Sequence, residues 1–260
     1  MKFFGLVVYT ISMRDNIFIP CRKCSHLKGP KPGFYFSKMS GYDVVVECNC
    51  HKQWRESLEL DRKLLDSNIQ PDYSFSDYKG ETSREDLNAL IHFTNNFKKY
   101  SYKTMLYLWG KNGCQKTSMV QACGKELITQ GYSVQYVVMN NLINSLITKE
   151  NQEDNLLVKR CLDVDLLIID ESFDSKKVTL YKSGYQIPYL DNFLRQRFEI
   201  DKKSIMFVSN KMPNEIEKEG FDYSIQNLVE RNTRNSLLKF EDVYFDQVGV
   251  GIPDRLGLFK

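Results

Sequence analysis

The 260 residues include 36 Lys or Arg and 33 Asp or Glu, a formal charge of +3, with 42% hydrophobic and 27% charged side chains. That length allows one substantial domain plus a smaller module, and the composition excludes collagenous, low-complexity and wholly disordered chains. So small a net charge also excludes polyanion binding by bulk electrostatics and leaves any such role to local patches. Residues 1 to 60 form the basic end, with 9 basic and 5 acidic side chains. The opening MKFFGLVVYTISMRDN lacks a small-residue cleavage site. No segment supplies the roughly 18 to 20 uninterrupted apolar residues of a membrane span, so a soluble, cytoplasmic protein without a membrane partner is expected.

Up to about Trp54 the chain is turn-rich, with KGPKPGF (Lys28 to Phe34) punctuating short β-like runs such as YDVVVEC. Four of the seven cysteines fall here. Cys21-x2-Cys24 and Cys48-x-Cys50-His51 offer five soft or borderline ligands, and close pairs on turns can supply the four that tetrahedral Zn²⁺ needs. A segment this small benefits from such a staple. The expected ligands are Cys21, Cys24, Cys48 and Cys50, with His51 able to replace one and His26 a remote candidate. Free thiols in a reducing cytosol are the alternative. Four protein ligands would leave no open position, making the metal structural. Cys114, Cys123 and Cys161 are expected to pack as small apolar groups.

RESLELDRKLLDSN fits an amphipathic helix only in part, and IQPDYSFSDYKG reads as a connector. Leu87, Leu90, Ile91, Phe93, Thr94 and Phe97 then mark a helix packed on something larger. From Tyr102, TMLYLWG, YSVQYVVM, LLIIDE and SIMFVSN read as strands, separated by helical text such as LDNFLRQRFE. Short apolar runs alternating with helices predict a parallel sheet covered on both faces.

Gly110-Lys111-Asn112-Gly113-Cys114-Gln115-Lys116-Thr117, continued by Ser118, follows the first of these strands and opens a helix. In that context backbone N–H groups cradle the phosphates of a nucleotide such as ATP, Lys116 reaches the β and γ oxygens, and the Thr117 hydroxyl binds Mg²⁺. Gln115 departs from the pattern, which has glycine there. The bland reading is a Gly-rich turn with a fortuitous Lys-Thr. LLIIDE weighs against it: an apolar strand ending in acids puts Asp170 where it can hold Mg²⁺ through water and Glu171 where it can polarise an attacking water. Asn210, ending SIMFVSN, can position that water or contact the γ-phosphate, or it simply starts the turn before Met212-Pro213. Farther on, NLVERNTRNSLLKF carries Arg231 and Arg234 in helical text, where a guanidinium presented across a subunit boundary could act as an arginine finger.

These motifs resemble the DnaC/DnaI-type helicase loaders and the related IstB transposition ATPases of the AAA+ superfamily, over about Ser67 to Phe245. The loop at 110–117, the acids at 170–171, Val208-Ser209-Asn210 and the run at 230–236 carry the resemblance, and the text between 170 and 199 reads like a phage or mobile-element variant. The resemblance implies an α/β fold: an AAA+ P-loop NTPase core whose parallel sheet is covered by helices, with no C-terminal lid, plus a small N-terminal zinc-binding module. Implied domains are a partner-docking module at 1–54, a linker and helical lead-in at 55–100, and the ATPase domain at 101–260. Lys116, Thr117, Asp170, Glu171, Asn210 and Arg231 inherit the family's roles, with ATP, Mg²⁺ and Zn²⁺ as cofactors. The implied activity is ATP-dependent loading of a hexameric replicative helicase onto single-stranded DNA by a homo-oligomer, with slow, partner-stimulated hydrolysis. An IstB-like transposition ATPase and a nucleotide-gated, non-catalytic interaction protein are the alternatives. Lys176, Lys177, Lys182, Arg195 and Arg197, interspersed with Tyr181, Tyr185 and Tyr189, offer phosphate-neutralising charge and stacking faces for single-stranded DNA. A solvated helix face with core tyrosines explains them equally well.

Overall fold

A computed structural model describes residues 18–26, 29–80, 84–148, 152–180 and 184–240. The chain divides into two units, Met1–Arg62 and Lys63–Lys260.

In the first unit, α1 (Arg22–His26) precedes the strands β1 (Phe34–Met39) and β2 (Tyr42–Glu47). These pair antiparallel from Phe34↔Glu47 to Met39↔Tyr42. Ser40 and Gly41 form the two-residue turn with φ of 51° and 86°, the doubly positive backbone whose twist matches that of a hairpin. The helix α2 (Asn49–Asp66) follows, and the division between the units falls inside it.

The second unit continues with α3 (Arg84–Asn95), α4 (Phe97–Tyr100), β3 (Met105–Trp109), α5 (Lys116–Thr129), β4 (Val134–Val138), α6 (Met139–Ile147) and α7 (Gln152–Asp163). Then come β5 (Leu166–Asp170), α8 (Ile187–Arg195), a π-helical turn (Gln196–Ile200), β6 (Ser204–Ser209), α9 (Tyr223–Thr233) and β7 (Leu237–Lys239). The sheet has the order β4-β5-β6-β3-β7, and every pairing is parallel. Parallel strands linked by helices are covered on both faces, which is why β5 and β6 are buried at every position and read as continuous apolar runs. Register brings the functional ends together. Trp109 lies opposite Ser209 and Ile169 opposite Phe207, so the residues following β3, β5 and β6 emerge along one edge.

Two expectations need correction. The text NLVERNTRNSLLKF is not helical throughout: α9 stops at Thr233, and Leu237–Lys239 pairs with Tyr107–Trp109 as the last strand. A three-residue strand shows no period of its own, so only its sheet partner reveals it. Arg197 is no part of a DNA surface. It is fully buried, and its guanidinium donates to the carbonyls of Cys161, Leu162, Val164, Asp165 and Ser204. Two of these end α7, where carbonyls lack intrahelical partners. Burial pulls its pKa down to about 10. Arg195 is held by Asp191 and Glu199, while Tyr185 and Tyr189 remain exposed. Tyr181, Lys182 and the segment 241–260, on which the expected lack of a lid rests, lie outside the described residues. Among the described residues, no helix is long and apolar enough to cross a membrane.

Candidate nucleotide site and cysteine cluster

The loop after β3 is shaped by its close neighbours. At Gly110 (φ 153°) a Cβ would sit 1.9 Å from the Phe240 carbonyl oxygen, so only glycine fits. Gln115 adopts φ 61°, the left-handed conformation that costs a residue with a Cβ roughly 1–2 kcal/mol. The expected glycine conformation is therefore kept without glycine. The Gln115 side chain finds compensating bonds: its Oε1 accepts from Lys79 N at 2.8 Å and its Nε2 donates to Asp77 O at 3.0 Å. Further along α5, Gln121 accepts from Gln70 N, and Lys125 donates to the carbonyls of Pro71 and Tyr73. The connector is thus strapped to the helix that the loop opens.

Lys116 is buried, and desolvation lowers its pKa. Its ammonium donates to Gly110 O and Lys111 O, each at 2.7 Å, and to Asn210 Oδ1 at 3.1 Å. Asn210 in turn donates to Asp174 Oδ2 at 3.2 Å. Thr117 Oγ1 donates to Asp170 Oδ2 at 2.7 Å, and the Tyr136 hydroxyl reaches the same oxygen from β4 at 2.8 Å. Glu171, at φ 52°, pairs with Lys177 Nζ at 2.8 Å. Around these groups lies a cleft of about 330 Å³, lined by the loop from Asn112, the acids, Lys177 and Asn210. Its volume falls in the range of small-ligand sites.

The structure therefore brings Asn112, Gly113, Gln115, Lys116, Thr117, Ser118, Asp170, Glu171 and Asn210 to one cleft. Gly110 and Lys111 contribute the carbonyls that hold Lys116. Cys114 is buried, donates to Lys111 O and accepts from Lys116 Nζ, so it does more than fill space. Arg231 does not line the cleft; its exposed guanidinium meets Glu199 at 2.9 Å. Three site residues escape sequence reasoning: Tyr136, Asp174 and Lys177 in its pairing with Glu171. A tyrosine inside the apolar run VQYVV was a usable signal, because a buried phenol needs a partner.

In the first unit, Cys21, Cys24, Cys48 and Cys50 place their sulfurs within 4.8 Å of one another. Cys21 lies 3.8 Å from Cys24 and 3.7 Å from Cys48, and Cys24 lies 3.5 Å from Cys50. Those separations exceed a disulfide and match the edge, roughly 3.8 Å, of a tetrahedron with Zn–S bonds of about 2.3 Å. The quartet can therefore hold a zinc ion. The Cys24 backbone N–H brings the Cys21 thiol down to about 6, favouring the ligating thiolate. His51 does not join. Its Nδ1 meets Glu47 Oε1 at 2.7 Å, and its ring packs against Phe18, Phe34 and Trp54. Nothing is described of the His26 side chain.

A parallel sheet with β6 inserted between the loop-bearing strand and the acid-bearing strand, and with a lysine, a threonine and two acids at one edge, defines a P-loop ATPase of the AAA+ class. The bacterial DnaA ATPase domain model matches residues 69–231, and the chain belongs to that family. It is 25% identical over 178 residues to the chromosomal replication initiator protein DnaA of Lactobacillus helveticus, covering 65% of this chain and 34% of that protein. The chain spans a quarter to about a third of the length of the curated relatives it matches. Among solved structures, AMPPCP-bound DnaA from Aquifex aeolicus aligns with a TM-score of 0.53 at 19% identity, over 66% of this chain and 51% of that one. A crystal structure of DnaI aligns with a TM-score of 0.52 at 19% identity, over 65% of this chain and 90% of that one. The resemblance to helicase loaders thus holds at the level of the fold, and the sequence match itself is to the DnaA ATPase domain.

Proposed function

We propose that the chain is an ATP-dependent loader that delivers a hexameric replicative helicase to single-stranded DNA as a homo-oligomer. The observation that supports this most is the convergence of Lys116, Thr117, Asp170 and Asn210 on one cleft, in a chain whose other unit gathers four thiols. The Thr117 hydroxyl and the Asp170 carboxylate are hard oxygen donors suited to Mg²⁺, whose charge would offset that of the phosphates. The loop N–H groups would cradle the phosphates while Lys116 leaves the Gly110 and Lys111 carbonyls for the β and γ oxygens. Glu171 would take a proton from water as the water oxygen bonds to the γ phosphorus and the bond from that phosphorus to the β,γ-bridging oxygen breaks, leaving ADP and phosphate. Asn210 would orient that water, and Arg231 would serve a neighbouring subunit's nucleotide. Zn²⁺ on the cysteine quartet would be structural, and the N-terminal module would dock the helicase.

The test is co-purification with tagged candidate helicases, with and without ATP, alongside Lys116→Ala. We expect ATP-dependent recovery from the wild type and its loss from the variant. A variant that still binds ATP and delivers helicase at the wild-type rate contradicts the mechanism, and recovery of a transposase without helicase reverses the choice of partner. Phosphate release with DNA and helicase present, beside Glu171→Gln, separates turnover from a nucleotide-gated clamp. The match to the DnaA family favours a second reading, an initiator-type ATPase that acts on DNA without handing over a helicase. DNA opening with no helicase recovered would select it.

A further inference from the structure

Among the described residues two cations line the cleft, and the proposed function uses only Lys116. Lys177 lines the same cleft and places Nζ 2.8 Å from Glu171 Oε1, both side chains being part-exposed at 32% and 40%. The turn that presents it is fixed. Asp174 O accepts from the backbone N–H groups of Lys177 and Val178, each at 2.9 Å. Asp174 Oδ1 accepts from Lys176 N at 3.0 Å, and Oδ2 accepts from Asn210. Lys177 is therefore carried by an element tied through Asn210 to Lys116, while its own flexible stem leaves the ammonium able to move.

We propose that Lys177 is a positioning residue that reads the third phosphate: it holds the Glu171 carboxylate until a triphosphate's terminal phosphoryl group draws its ammonium away and releases Glu171 to act on water. This rests on the reading of the cleft as a nucleotide site. A part-exposed ion pair is weak enough to exchange. A terminal phosphate carries more charge than one carboxylate, and an ammonium on a four-carbon stem is a point charge suited to follow it. A diphosphate has no such group and leaves the pair closed, so the carboxylate would be available only when there is a bond to cleave.

The experiment uses the full chain with Mg²⁺, measuring dissociation constants for ADP and for a non-hydrolysable ATP analogue, together with single-turnover rates for ATP. In Lys177→Met we expect ADP affinity to stay within about twofold while the preference for the triphosphate falls about tenfold, the scale of one charge-assisted hydrogen bond. Glu171→Gln, which removes the competing carboxylate, should raise triphosphate affinity several-fold and leave ADP unchanged. The exposed neighbour variant Lys176→Met should do neither. Equal weakening of both nucleotides in Lys177→Met, or no change in either, overturns the inference while leaving the nucleotide site intact. Failure of the folded wild type to bind either nucleotide overturns the site reading and this inference with it.

Discussion

Among the described residues up to Arg62, the buried hydrophobic side chains are Cys24 and Cys48. Phe36, Met39, Tyr42, Val44 and Val45 of the hairpin are exposed. From Lys63 onward whole strands vanish from solvent: Leu166 to Ile169 and Ile205 to Phe207 are all 0% exposed, and Phe173, Leu194, Ile225 and Val229 join them in the core. The larger unit has enough chain to bury apolar surface on both faces of a sheet, the dominant favourable contribution to folding. The smaller unit does not. Its ordering is expected to come from the thiols converging on one metal, whose apparent binding free energy in small zinc modules is about 10–16 kcal/mol.

Removing the metal should break this contrast most severely. A strong chelator, or Cys24→Ser, is expected to abolish hydrogen-exchange protection across residues 34–47 and to leave nucleotide binding by the other unit unchanged. Protection that survives with no metal detected by atomic absorption would mean that the hairpin holds itself. The next largest effect is expected on the other side of the comparison. Arg197→Met strips five carbonyls of their donor, at a cost of roughly 3 kcal/mol or more, which for a unit of this size lowers the melting temperature by about 10 °C. Calorimetry should show that drop with zinc content unaltered; a shift of only a degree or two would mean water replaces the guanidinium. Gln115→Gly should have the smallest effect on stability. Relief of about 1–2 kcal/mol from the left-handed backbone is offset by the lost pair of hydrogen bonds, each worth about 1 kcal/mol, and by the entropy of glycine. The net change should stay within about 1 kcal/mol while exchange of the Lys79 amide accelerates. Unaltered exchange there would show that the side-chain clamp does not hold the connector.

The cleft was legible where chemistry is local. A glycine-bearing loop between strand and helix, and acids at the end of an apolar run, announce themselves within a few residues each. Gln115 broke the motif on paper but not in space, because its left-handed backbone is supported by residues 36 and 38 positions earlier in the chain. Within the basic insert Arg197 misled for the opposite reason. The insert's charges look alike in sequence, yet Arg197 is buried under carbonyls, Arg195 is bound to two acids, and Lys177 faces the cleft. His51 sits beside the cysteines in sequence but is engaged by Glu47 and three aromatic rings.

Composition, periodicity and spacing by themselves determined that this chain builds a helix-covered parallel sheet, that its loop at 110–117 faces a carboxylate strand, and that four cysteines can close on one ion. Those features depend on hydrophobic period and on groups only a few bonds apart. Tertiary structure alone decided that Tyr136 supports Asp170, that Asn210 links Lys116 to Asp174, that Lys177 restrains Glu171, and that Leu237–Lys239 completes the sheet. Each of these except the pairing of Lys177 with Glu171 joins residues more than 30 positions apart, and that pairing itself depends on the turn that Asp174 and Asn210 hold in place. Only the register of packed strands and the path of the loops between them bring such groups within bonding distance.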